Sequence, residues 1–209
     1  MENSNDRVSF NKIVQWCSEV LYEELDRPLE SFEISLLVCA VLPELNPDLE
    51  AWPVVTRAMS FSAKSAALLL SDASDEEVAR HAGLPGYTVL DVFASLPDDL
   101  LGTFDEDEGF LLGHACVLVW AKTSDRYYLL DPAQEELESD DDEIRFDRLA
   151  MIEVQMGQKE VRLAFDNGVT VLYWLYPEAG VPDFPEETLS KVMNCVPQVL
   201  DMLLGSDDD

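Results

Sequence analysis

His114 and Asp131 are the residues whose type and spacing can do chemistry. His114 is one of two histidines in the chain and opens the apolar run Ala115-Cys116-Val117-Leu118-Val119-Trp120. Asp131 closes the run Tyr127-Tyr128-Leu129-Leu130, immediately before Pro132. Two antiparallel strands, Ala115–Ala121 and Tyr127–Leu130, joined by a short polar turn, would bring these ends side by side. A carboxylate within reach of an imidazole fixes its tautomer and stabilises its cation. Such a pair supplies two of the three parts of a nucleophile–His–Asp machine.

The elements that must position the pair can be read from periodicity. Phe10, Ile13, Val14, Cys17, Val20 and Leu21 form a helical stripe over Phe10–Leu25. Pro28 ends it, and Ser31 is a candidate N-cap for a second helix, Phe32–Leu42. Pro43, Pro47 and Pro53 predict a loop region, and a third helix is expected over Ala63–Leu70. Ser74 and Glu77 have capping-box spacing before a short helix reaching His81. Strands are expected over Gly86–Phe93 and Met151–Gln155, and over Val161–Phe165 and Val169–Tyr176 about the hairpin signal Asp166-Asn167-Gly168. A terminal amphipathic helix over Glu186–Leu204 is kinked or divided by Pro197. The expectation is an α+β fold with helices packed on an antiparallel sheet. Residues 1–54 form a helical extension, 55–205 the core and 206–209 an acidic tail.

Composition narrows the function. The chain has 209 residues, 47% of them apolar, enough for a packed core. No apolar run reaches the roughly 18 residues of a membrane span. The first residues lack the basic and apolar regions of a secretory leader. Four cysteines, Cys17, Cys39, Cys116 and Cys195, lie far apart with no CxxC, so reduced thiols in the cytoplasm are expected. Asp plus Glu number 43 against 13 Lys plus Arg, a formal charge of −30. That balance repels nucleic acid and anionic membranes and favours a basic protein or peptide as partner. The acidic runs Pro97–Gly109 and Gln134–Glu143 read as exposed loops, and neither has EF-hand spacing.

With these elements in place, the chain resembles the transglutaminase-like branch of the papain-like cysteine enzymes over about residues 55–135. The resemblance rests on the Gly83-Leu84-Pro85 turn with the strand from Tyr87, on Gly113-His114-Ala115, and on Tyr128-Leu129-Leu130-Asp131-Pro132. It implies a papain-like α+β core and a peptidase, amidase or acyl-transfer activity on a protein or peptide. His114 would be the proton shuttle and Asp131 its orienting partner, with no cofactor and no metal. The family helix carries the nucleophilic Cys at its start, and the corresponding stretch here, Ser62-Ala63-Lys64-Ser65-Ala66-Ala67-Leu68, puts Ser62 in that position. A thiol beside an imidazole at a helix N-terminus becomes thiolate, whereas a serine hydroxyl needs concerted general-base help. Three explanations fit: a degenerate family member, a cysteine replaced by serine, or a serine-using variant.

Other residues offer less. Cys17 and Cys39 sit on apolar helical stripes and read as core. Cys195 follows the histidine, the wrong order for the family. Cys116 shares a strand face with His114, but His81 lies on a separate helix and no third thiol clusters with them, so no zinc site is expected. Two classes of function remain: a transglutaminase-like enzyme or its inactive descendant, and an acidic non-catalytic or immunity-type protein that docks on a basic protein. Under the enzyme reading, His114→Ala is expected to spare folding and abolish amide-directed activity.

Overall fold

A computed structural model describes residues 4–71, 73, 74, 77, 80, 81, 84, 86–92, 114–140, 143–176 and 186–205. The acidic run Pro97–Gly109, the residues Gly83, Pro85 and Gly113, and the 206–209 tail lie outside the described residues. The fold is mixed α+β. The elements run α1 (Ser4–Leu25), α2 (Ser31–Leu45), β1 (Leu49–Phe61), α3 (Ala63–Leu70), β2 (Val89–Val92), β3 (His114–Ala121), β4 (Arg126–Asp131), a 3-10 turn (Gln134–Leu137), β5 (Ala150–Val154), β6 (Glu160–Ala164), β7 (Thr170–Tyr176), α4 (Glu186–Asn194) and α5 (Val196–Gly205).

The described strands join one antiparallel sheet in the order β5-β4-β3-β1-β7-β6, with β2 also on β1. The sheet is nearly barrel-shaped, and its end strands β5 and β6 approach one another. Strands β2 and β3 share one edge of β1. Val92 lies opposite Ala58 and His114 opposite Thr56, so the chain leaves that edge and returns to it almost in line.

The period-2 alternation of the strands divides two cores. Val117, Val119 and Leu130 face the helices and pack with Cys17 and Leu21 of α1, Leu37 and Val41 of α2, and Val199 of α5. The other face holds Val54, Ala58, Cys116, Leu129, Val161 and Tyr173 inside the curl of the sheet. The first two helices are therefore one wall of the main core, and the expected division between residues 54 and 55 cuts through β1.

That strand is the main departure from the sequence reading, which treated Pro43–Pro53 as loop. Pro43 falls within the last turns of α2, and Pro53 lies inside β1 opposite Val117. Along Leu49–Val54 the only described neighbour of β1 is β3, because pairing with β7 begins at Val55. A missing N–H is tolerated where one edge of a strand has no partner. The expected helix Ala63–Leu70 is found with those bounds, and Pro197 sits in the first turn of α5 where the terminal helix divides. Gly168 takes φ +87° in the β6–β7 hairpin, and a Cβ there would lie 3.0 Å from that of Ala63, so glycine serves both the turn and the approach of α3.

Leu37 is fully buried between α2 and the sheet, whereas Leu70 is exposed at the end of α3. Leu37→Ala is expected to cost about 2–5 kcal/mol in urea unfolding. Leu70→Ala should stay within about 0.5 kcal/mol.

Candidate functional site

The site is built on the concave face of the sheet. Thr56 of β1 and His114 of β3 are directly opposed, and the β3–β4 register carried one step further sets Cys116 opposite Asp131. Residues at i and i+2 share a face, so His114, Cys116, Thr56 and Asp131 all point inward. His114 Nε2 lies 2.8 Å from Asp131 Oδ1, and the two side chains are 0% and 1% exposed. The Thr56 hydroxyl donates to the His114 carbonyl at 2.8 Å and lies 3.7 Å from Cys116 Sγ.

Two further residues complete the cluster. Tyr173 of β7 donates its hydroxyl to Asp131 Oδ2 at 2.8 Å, and the Ala133 amide donates to Oδ1 at 3.0 Å. Strands β7 and β4 are three spacings apart, about 14 Å on a flat sheet. Side chains standing perpendicular to such a sheet could not bridge that gap, so the Tyr173–Asp131 bond depends on the curl. On the other side of the ring, His114 Nδ1 lies 3.0 Å from Glu136 Oε2. The Glu136 side chain is 34% exposed and is the cluster's contact with solvent.

Neither Glu136 nor Tyr173 is singled out by the sequence reading. Glu136 sits in an acidic run taken for an exposed loop, and Asp140 and Glu135 are indeed exposed. The run nevertheless turns inward at Leu137, whose carbonyl accepts from the buried Ser60 hydroxyl at 2.7 Å. Glu138 pairs with Arg145, and Glu143 accepts from Thr88. The lone apolar residue Leu137 amid carboxylates was the signal that the run is tied to the core.

Burial alone would lower the pKa of His114. The charge of Asp131 and the hydrogen bonds to Asp131, Cys116 and Glu136 outweigh it and raise the ring well above its ordinary value. Both nitrogens then carry hydrogen, and the ring is an imidazolium held between carboxylates. Burial first, then the charge of Asp131, pushes the Cys116 thiol up to about 11, against the opposing pull of His114. The thiols of Cys17, Cys39 and Cys195 are also raised, chiefly by burial. All four stay protonated near neutral pH, which removes the nucleophilic form.

Ser62 is not brought to the pair. It caps α3, where its hydroxyl accepts from the Thr88 and Ser65 amides and donates to the Gly86 carbonyl at 2.7 Å. Thr56 marks the level of His114 on β1, and Ser62 lies six residues further along, about 20 Å at strand rise. The helix that begins beside His114 is α2. The Ser31 hydroxyl accepts from the Ala115 amide at 3.2 Å, and the Ser35 hydroxyl donates to the Ala115 carbonyl at 3.1 Å. The His81 and Tyr87 rings meet at a tilt of 40° with centres 5.1 Å apart.

His114, Cys116 and Asp131 each offer one possible metal-donor atom, all within 4.8 Å of one another. Their donors and acceptors are already engaged with protein groups, and among the described residues no buried side-chain nitrogen or oxygen lacks a hydrogen-bond partner. In this arrangement the group is a hydrogen-bonded ionic network that reaches solvent at Glu136.

The network changes what removal of the ring would do. His114→Ala leaves Asp131 enclosed without its counter-charge, a loss of about 3–5 kcal/mol rather than a silent change. A ring with a raised folded pKa contributes stability that is complete below its unfolded value, about 6.5, and is lost as pH rises through the folded value. The stability gap between wild type and His114→Gln should therefore be widest near pH 6 and narrow toward alkaline pH. A gap that stays constant, or widens, would mean a neutral ring.

No protein-family model, curated protein or solved structure matches the chain.

Proposed function

We propose that this chain is a non-catalytic acidic protein that docks on a basic protein partner. The observation that carries the reading is the engagement of both His114 nitrogens by carboxylates, Asp131 on Nε2 and Glu136 on Nδ1. A general base needs a free nitrogen within hydrogen-bond reach of a nucleophile. Here the hydroxyl of Ser62 is bonded to the backbone of residues 86 and 88, and the neighbouring thiol of Cys116 is protonated.

The transglutaminase-like resemblance enters this proposal as descent without activity: the His–Asp contact is kept and serves the core. What remains exposed is charge. A formal charge of −30 generates a long-range field that raises encounter rates with cationic surfaces and disfavours nucleic acid. Among the described residues no helix is long and apolar enough to cross a membrane.

Binding to a basic protein, followed by calorimetry, should weaken steeply between about 0.1 M and 1 M salt, where the screening length falls from about 10 Å to 3 Å. Affinity indifferent to salt would defeat electrostatic docking. Amide hydrolysis or aminolysis above background, present in wild type and lost in His114→Gln, would restore the enzyme reading.

A further inference from the structure

We propose that the groove between α1 and the turn following β4 is the docking site for a short, extended, arginine- or lysine-bearing segment of the partner; the inference rests on the acidic-binding reading above. The groove has a volume of about 720 Å³. One wall is the stripe of α1 from Asn11 to Tyr22, and the other is formed by residues 132–136 and 146–149. The eleven steps of helix from Asn11 to Tyr22 rise about 16 Å, which matches about five residues of extended peptide.

Its chemistry is divided between floor and rim. Val14 and Ile34 line it as buried apolar residues, together with the half-buried Leu149. Glu19, Glu135, Glu136 and Asp147 line it as exposed carboxylates. The lone cation in the lining, Arg148, lies over the Phe165 ring at 5.1 Å and donates to the Ala164 carbonyl, so it is committed elsewhere. Among the described residues no lysine or arginine pairs with any of the four carboxylates. Tyr22, 57% exposed at the groove, is an aromatic anchor of the kind enriched in interfaces.

An extended chain alternates its side chains, so apolar residues can enter the floor while cationic ones turn toward the carboxylates. A small polyvalent cation would satisfy the rim and leave the floor unused, which favours a peptide. Glu136 belongs to both the groove and the buried network, so the segment would dock directly over the ring of His114.

The test uses the intact chain and a fluorescein-labelled peptide, Arg-Leu-Arg-Leu-Arg-Gly, followed by anisotropy. The double variant Glu135→Lys/Asp147→Lys should weaken binding about tenfold or more, and Tyr22→Ser several-fold, whereas Glu160→Lys/Asp166→Lys, an equal charge change at exposed sites outside the groove, should change it less than about twofold. Equal weakening by the two double variants would overturn the groove and leave the acidic-binding reading standing. So would failure to bind the peptide by wild-type chain that binds a basic protein. A wild-type chain that binds neither would remove both readings.

Discussion

A cationic ring shut away from water sets the terms for the rest of this molecule. An imidazolium in an apolar interior is tolerable only with a counter-charge at contact distance, and a buried carboxylate needs its remaining lone pairs occupied. His114 therefore requires Asp131. Asp131 in turn draws on the Tyr173 hydroxyl and the Ala133 amide. Tyr173 can arrive only if the sheet curls, and the curl leaves a convex back that α1, α2, α4 and α5 cover with apolar side chains. Chemistry at one end of β3 and the overall architecture are thus one problem with a shared solution. The buried charges of His114 and Asp131 satisfy each other and are held in place by their neighbours.

The cations of the described surface are largely occupied. Arg27 pairs with Glu33, Arg126 with Glu153, Arg145 with Glu138 and Lys191 with Glu187. Exposed pairs of this kind add little stability, about 0–1 kcal/mol each. Their larger effect is to use positive charges locally, against an excess of 43 Asp and Glu over 13 Lys and Arg. Arg27–Glu33 is different in kind, because Glu33 is 1% exposed and also accepts from the Glu30 amide at the start of α2. That pair fixes the entry of the helix whose first turn bonds to the backbone of β3.

Legibility in the sequence followed range. The β3–β4 pairing could be read because two apolar runs flank a short polar turn, and an antiparallel pair so joined brings the ends that carry His114 and Asp131 side by side. The Asn167-Gly168 signal located its hairpin, and Ser62 with Ala63-Lys64-Ser65 located the start of α3. Three prolines concealed β1, because the tolerance of Pro53 depends on which edge of the strand has a neighbour, a tertiary fact absent from local spacing. Ser62 is the N-cap of α3 and Ser31 the first residue of α2, and only the sheet order decides which lies beside His114. Glu136 was hidden by its acidic company, and Tyr173 by the ordinary presence of aromatics in strands.

The shared edge of β1 also bears on how the sheet holds its register. Val92 and His114 stand two register positions apart on it, about 7 Å along the strand. The entropic cost of joining two points so close grows only slowly with the length of chain between them. The rungs of β2 and β3 on β1 are therefore fixed by local pairing, from Phe61 with Val89 to Thr56 with His114, and owe little to how many residues separate the two strands in sequence.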